Sequence, residues 1–242
     1  MSLETPVTAP MTYGDAVNAL KLTDWGNLCF FATGAAAETA ARVDETVISG
    51  VQVLPAAKDV FKALEIVQPD QVKAVILGQD PYPTPGDAHG LAFSVANPAQ
   101  RIPASLKTIF ASLEADLGII PPPHGNLIKW AHAGILLLNV TLSVEAGKAN
   151  SHKNFGWANL ASEILDRLNE QTTPIVFMLW GKHAQQTGAR LDTKRHCVIK
   201  TVHPSPLAHG GGPQHKFVTS QPFAQAQEWL SQRGLPPIDW RL

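Results

Sequence analysis

Four short apolar runs, at 73–78, 135–140, 175–180 and 197–202, constrain the fold of this chain more than any other feature. Each is rich in Val, Ile and Leu and is continuous rather than alternating. A strand with one wet face alternates, whereas a continuous run suits a strand covered on both faces, as in a parallel sheet layered between helices. Helical periodicity fills the intervals. Leu106, Ile109, Phe110, Leu113 and Leu117 share one helical face and Gly118 follows as a stop; Leu160, Ile164, Leu165 and Leu168 repeat the pattern before Pro174. The alternation predicts right-handed crossovers and an α/β fold, with a central four-stranded parallel sheet flanked by helices on both faces. A chain of 242 residues, 45% hydrophobic and 16% charged, has enough apolar material for one such domain and too much for wholesale disorder. Residues 1–12 read as a disordered tail and 13–242 as a single domain. Within the latter, 15–48 is weakly helical and Ala-rich from 35 to 41.

Charge and cysteine content narrow the function classes. The formal net charge is −1, which excludes a histone-like basic coat. The halves differ, with 7 Lys+Arg against 13 Asp+Glu in residues 1–120 and 12 against 7 in residues 121–242, so a local cationic face on the second half remains open. Cys29 and Cys197 form no Cys-x-x-Cys pair and cannot supply an iron–sulfur cluster or a four-thiolate zinc site. No His-Glu-x-x-His spacing appears among the nine histidines, so neither metal nor cofactor is expected. No apolar run approaches the roughly 18 residues of a membrane span and no charged-then-apolar leader opens the chain; the expectation is a soluble cytoplasmic protein, monomeric by default.

In doubly wound sheets ligands bind beyond the carboxyl ends of the strands. The first run leads into Gln79-Asp80-Pro81-Tyr82, and the second ends in Asn139. The third leads into Gly181-Lys182-His183, and the fourth into His203-Pro204-Ser205-Pro206-Leu207. A carboxylate, an amide, basic groups and an imidazole therefore share one rim. Gly78-Gln79-Asp80-Pro81-Tyr82, continued by Ala88-His89-Gly90-Leu91-Ala92-Phe93-Ser94-Val95, closely resembles the water-activating segment of the family-1 uracil-DNA glycosylases. His203-Pro204-Ser205-Pro206-Leu207 is similar to that family's leucine loop. Leu136-Leu137-Leu138-Asn139, Gly147-Lys148-Ala149-Asn150-Ser151-His152 and Trp180-Gly181 also match, in family order, over about 53–240. The sequence departs from the family at Pro83-Thr84-Pro85, where His-Gly-Pro is usual, at Asp87 for Gln, at Lys182 for Ser, and at Ala208-His209-Gly210-Gly211-Gly212. These changes fall on loops and leave the chemical residues intact.

The resemblance implies a monofunctional glycosylase that flips uracil out of single- or double-stranded DNA and hydrolyses its glycosidic bond in base excision repair. Asp80 would stabilise the cationic sugar and orient water, and His203 would donate to uracil O2 as a neutral imidazole. Asn139 would pair with O4 and N3–H of the base, Gln79 with a base oxygen. Tyr82 would exclude the thymine methyl and Phe93 would stack on the flipped base, although a core role for Phe93 stays open. Leu207 is the implied wedge; Ser105, Ser205 and Lys182 are implied DNA contacts. Ser105 has a second reading, as an N-cap of the 106–117 helix. The stretch 182–216 holds six Lys+Arg against Asp192 alone, which suits a DNA-backbone track or a merely solvated face. The phage uracil-glycosylase inhibitor protein is an implied partner, with binding weakened by the glycine run at 210–212. The competing reading from another class is a uracil-DNA-binding protein without turnover; intact Asp80 and His203 argue against it.

Overall fold

The structure, a computed structural model, describes residues 10–97, 101–206 and 215–242. In chain order the elements are α1 (Tyr13–Leu20), α2 (Cys29–Ala32), α3 (Ala35–Ile48), β1 (Val53–Leu54), α4 (Lys62–Ile66), β2 (Ala74–Gly78), α5 (Ala104–Leu117), α6 (Ile128–His132), β3 (Ile135–Asn139), β4 (Val144–Glu145), α7 (Trp157–Asn169), β5 (Val176–Trp180), α8 (Lys182–Thr187), β6 (Cys197–Thr201), α9 (His215–Val218) and α10 (Pro222–Ser231), with short 3-10 turns between some of them.

The four apolar runs are the four strands of a parallel sheet in the order β3-β2-β5-β6. All five residues of β2, β3 and β5 are buried, so both faces of these strands are covered and the continuous apolar pattern is explained. β6 is an edge strand, and its Lys200 is exposed. Pairing runs on from β2 to β3 on one side and to β5 on the other, which puts the reversal of strand order at β2.

The helices form where the pattern has period 3.6. In α7 the side chains of Trp157, Leu160, Ala161, Ile164, Leu165 and Leu168 are buried along one face, each contributing about 1.5–3 kcal/mol if a large apolar group. α5 ends at Gly118, whose φ of 65° is the left-handed stop expected of a glycine there. α10 starts with Pro222, and its first N–H groups are capped from outside: Asp116 Oδ2 accepts from Phe223 N at 2.9 Å and from Ala224 N at 3.3 Å, tying α10 to α5. The weakly helical 15–48 segment resolves into α1, α2 and α3, with α1 opened by a Thr12–Asp15 capping box. A small antiparallel pair, β1 with β4, is additional to the expected sheet. Five of the six tryptophans lie in the core, and Trp130 Nε1 donates to the Trp240 carbonyl at 2.8 Å. Among the described residues no helix is long and apolar enough to cross a membrane.

Candidate active site

Every candidate residue among the described ones lies at or beyond the carboxyl ends of the sheet strands, or is bonded to one that does. Asn139 ends β3 directly abreast of Gly78, the last residue of β2. The pairing continues past the strand ends through Val140 N to Gly78 O (3.0 Å) and Thr141 N to Gln79 O (2.9 Å). Glycine is required at 78, because a Cβ there would collide with Asn139 Oδ1 and with the Ala92 side chain. Asn139 is thus buried with its amide held across the mouth of β2.

Asp80 follows immediately. Its Oδ2 accepts the backbone N–H of Asn150 at 2.7 Å, and Gln79 Nε2 stands 3.4 Å from Oδ1. Gln79 Nε2 also donates to Asn150 Oδ1, so the Asn150 side chain orients the Gln79 amide while its backbone holds the carboxylate. Asn150 has φ of 63°, a conformation asparagine tolerates better than most residues. The loop carrying it is tied down through Ala146 N to Gln52 O and Gly147 N to Pro83 O, both 2.8 Å. Burial pushes the Asp80 carboxyl above the ordinary aspartate value; the Asn150 N–H, the charge of His183 and the Gln79 amide pull it back without cancelling the rise.

His203 follows β6. Its Nδ1 accepts the Ser205 N–H at 3.0 Å, which leaves Nε2 as the protonated, donating nitrogen of a neutral ring. At Gly181, φ is 88° and a Cβ would come within 2.9 Å of His203 Cβ, so the turn after β5 is glycine by conformation and by space. Gln79, Asp80, Lys182, His183, His203 and Ser205 line one cavity of about 700 Å³. Lys182 is exposed at the first position of α8, with its charge at the cavity wall.

Phe93 joins this group through its ring, 5.5 Å from that of Trp180 and 6.0 Å from that of His203. It is only partly buried and has φ of 63°, so it is not an ordinary core aromatic. Tyr82 Oη donates to the Phe93 carbonyl at 3.2 Å and lies 3.1 Å from Ser105 Oγ. Burial pushes the Tyr82 hydroxyl up to about 12, so it keeps its proton throughout the neutral range. Ser105 does not cap α5: the cap position is Pro103, which has no side-chain oxygen, and the Ser105 hydroxyl turns to Tyr82 instead. Tyr82 borders a second cavity of about 460 Å³ with Thr84, Asp87, Arg101 and Lys107. Leu207 and the glycines at 210–212 lie outside the described residues. Sequence reasoning left Asn150 and His183 without roles. The Gly147-to-His152 motif was visible, but nothing local in it says that a backbone N–H will meet a carboxylate 70 residues away.

The uracil DNA glycosylase superfamily model matches residues 65–230. The chain belongs to that superfamily. A uracil-DNA glycosylase of Klebsiella pneumoniae is 49% identical over 194 residues, covering 79% of this chain and 82% of the relative. One from Bacillus subtilis is 47% identical over 188 residues, covering 78% and 81%. In fold, the superfamily member here is similar to the crystal structure of mimivirus uracil-DNA glycosylase (TM-score 0.81, 23% identity, 99% of this chain and 97% of that one). It is equally similar to the mimivirus enzyme carrying Y322L in complex with UGI (TM-score 0.81, 24% identity, 99% and 98%).

Proposed function

We propose that this chain is a family-1 uracil-DNA glycosylase that extrudes uracil from single- or double-stranded DNA and hydrolyses the base–sugar bond, leaving an abasic site for base excision repair. The observation that carries the reading is the meeting of Asp80, Asn139 and His203 at the ends of β2, β3 and β6, within a chain about 48% identical to curated uracil-DNA glycosylases.

Cleavage separates charge: the sugar becomes cationic and the base leaves as an anion. Asp80, ionised yet partly desolvated, stabilises the cation and holds the attacking water, and Asn150 N–H fixes the carboxylate for that task. His203 Nε2–H donates to O2 as negative charge collects there. Asn139 and Gln79 read the base edge, Phe93 stacks on it, and the Tyr82 ring closes the space that a thymine methyl needs. Ser105, Ser205 and Lys182 take the DNA backbone, and Leu207 fills the vacated stack.

The deciding assay measures uracil release from oligonucleotides holding a single deoxyuridine, with thymine and cytosine controls. Uracil alone should be released, and Asp80→Asn should lower kcat by at least a thousandfold while DNA affinity changes little, since the carboxylate serves the charged transition state. Tight binding without release by the unmodified chain would establish the binding-protein reading instead. Equal losses of affinity and rate in Asp80→Asn would make Asp80 structural.

A further inference from the structure

Three oxygens stand in a row beside the base site: Ser105 Oγ, Tyr82 Oη and the Phe93 carbonyl, spaced 3.1 and 3.2 Å apart. Only two hydrogens serve them. A phenol has one hydrogen, and Tyr82 gives it to the carbonyl; the hydrogen between Ser105 and Tyr82 must therefore be the serine's. Tyr82 stays protonated across the neutral range, so the count does not change with ordinary pH.

A phosphate oxygen is an acceptor only, and when it takes the Ser105 hydrogen the row is left with one. Tyr82 then either faces the Ser105 oxygen with no hydrogen between them, or turns its own hydrogen to Ser105 and lets go of Phe93. Each arrangement forgoes one bond, and the second is favoured because a hydroxyl that donates to an anion becomes a stronger acceptor for the Tyr82 hydrogen. Phe93 is the residue for which that release matters, because its backbone is held at φ of 63°, which a bulky residue adopts only when its surroundings impose it. Its neighbours stay fixed. Ala92 N donates to Leu137 O at 3.0 Å, while Ser94 Oγ accepts Leu127 N–H at 2.8 Å and meets His89 Nε2 at 2.7 Å. The freedom gained is therefore confined to Phe93.

We propose that the Tyr82 hydroxyl is a positioning group that couples phosphate docking at Ser105 to the setting of Phe93 beneath the extruded base. The inference rests on the reading of Ser105 as a phosphate contact. Arg101 and Lys107 on the adjoining cavity supply positive charge for such a contact, against the opposing carboxylate of Asp87, and α5 begins at Ala104 without a side-chain cap on its N–H groups. The consequence is that stacking is tuned by the DNA backbone, so that a base presented without its phosphate does not receive it.

The test is a kinetic cycle on single-stranded oligonucleotides with one deoxyuridine. Each phosphate flanking the uridine is replaced in turn by a neutral methylphosphonate. In the unmodified enzyme, neutralising the docked phosphate should raise KM and lower kcat about tenfold. Tyr82→Phe, which keeps the ring but removes the hydrogen that holds Phe93, should keep kcat on native DNA within about twofold of the unmodified enzyme. It should still show the rise in KM on the neutral linkage, but with less than a twofold further loss of kcat. Inhibition by free uracil, which has no phosphate, should be at least as tight in Tyr82→Phe as in the unmodified enzyme. The second arm is Ser105→Ala, which leaves the Tyr82 ring untouched. Its kcat should fall on native DNA and then ignore the neutral linkage. An undiminished tenfold kcat response in Tyr82→Phe, or a tenfold weaker free-uracil inhibition, overturns the coupling while leaving Ser105 as a phosphate contact. If neither flanking methylphosphonate nor Ser105→Ala alters KM or kcat, the phosphate reading of Ser105 fails and the coupling fails with it.

Discussion

Asp80 works against its own environment. Partial burial strengthens its field at a developing cation but penalises its charge, and its pKa settles above the ordinary aspartate value. In the proposed reaction Asp80 works as the carboxylate, so kcat should fall as pH drops through that raised value rather than near the usual 3.8. Asn150→Asp keeps a side chain that tolerates positive φ and sets a second negative charge beside the first. It should move the acid limb of the kcat profile upward by about one unit. A limb that stays at the ordinary aspartate value in both proteins would mean that Asp80 ionisation does not govern the step. His183 acts in the opposite sense, since its charge favours the Asp80 anion.

At the scale of elements, the proposed base pocket depends on two strand ends lying flush. Gly78 and Asn139 are register partners, and the missing side chain of one makes room for the amide of the other. Gly78→Ala should displace that amide, lowering kcat/KM for uracil at least a hundredfold while the circular dichroism spectrum is retained; undiminished uracil release would show that Asn139 is not read by the base. The strands themselves were legible. Residues 74–78, 135–139, 176–180 and 197–201 fall within the four apolar runs because a strand covered on both faces must be apolar at successive positions. The 106–117 helix was nearly complete, beginning two residues earlier at Ala104. The β1–β4 pair was not legible, since two-residue strands have no period to detect and are set by tertiary contact. The placement of Asp80, Asn139 and His203 on one rim was readable because each stands at the end of an apolar run or just beyond it. The hydroxyl partner of Ser105 was not, because a helix start predicts a cap and here Pro103 takes the cap position.

Across the whole molecule, buried neutral histidines set the acid stability. His89 is depressed from 6.5 to about 4 by burial, and His152 and His196 are lowered for the same reason. The unfolded chain takes up a proton at His89 as pH falls through 6.5, whereas the folded chain resists until about 4. Stability from this group is therefore complete above 6.5, declines between 6.5 and 4, and is level below, for a total of about 3 kcal/mol. Asp80, Asp87 and Asp116, whose pKa values are raised, shift in the opposite sense and recover some stability on acidification. Denaturant unfolding followed from pH 7 to 4 should lose stability, and His89→Gln should show a shallower slope over that window. An identical slope in the variant would assign the acid sensitivity to other groups.

The bond from Trp130 to the Trp240 carbonyl has a consequence for biosynthesis. Its two ends are separated by 110 residues of chain, and Trp240 also packs edge-on against Trp130 and Phe223. At about 5–20 residues per second, a ribosome that has just made Trp130 needs roughly 5–20 s more to supply its partner. During that interval the indole of Trp130 has no carbonyl to donate to and one side of its pocket is missing. This corner of the core is therefore assembled late, and the nascent chain presents a tryptophan surface to chaperones well after the segments bearing Asp80 and Asn139 have been made.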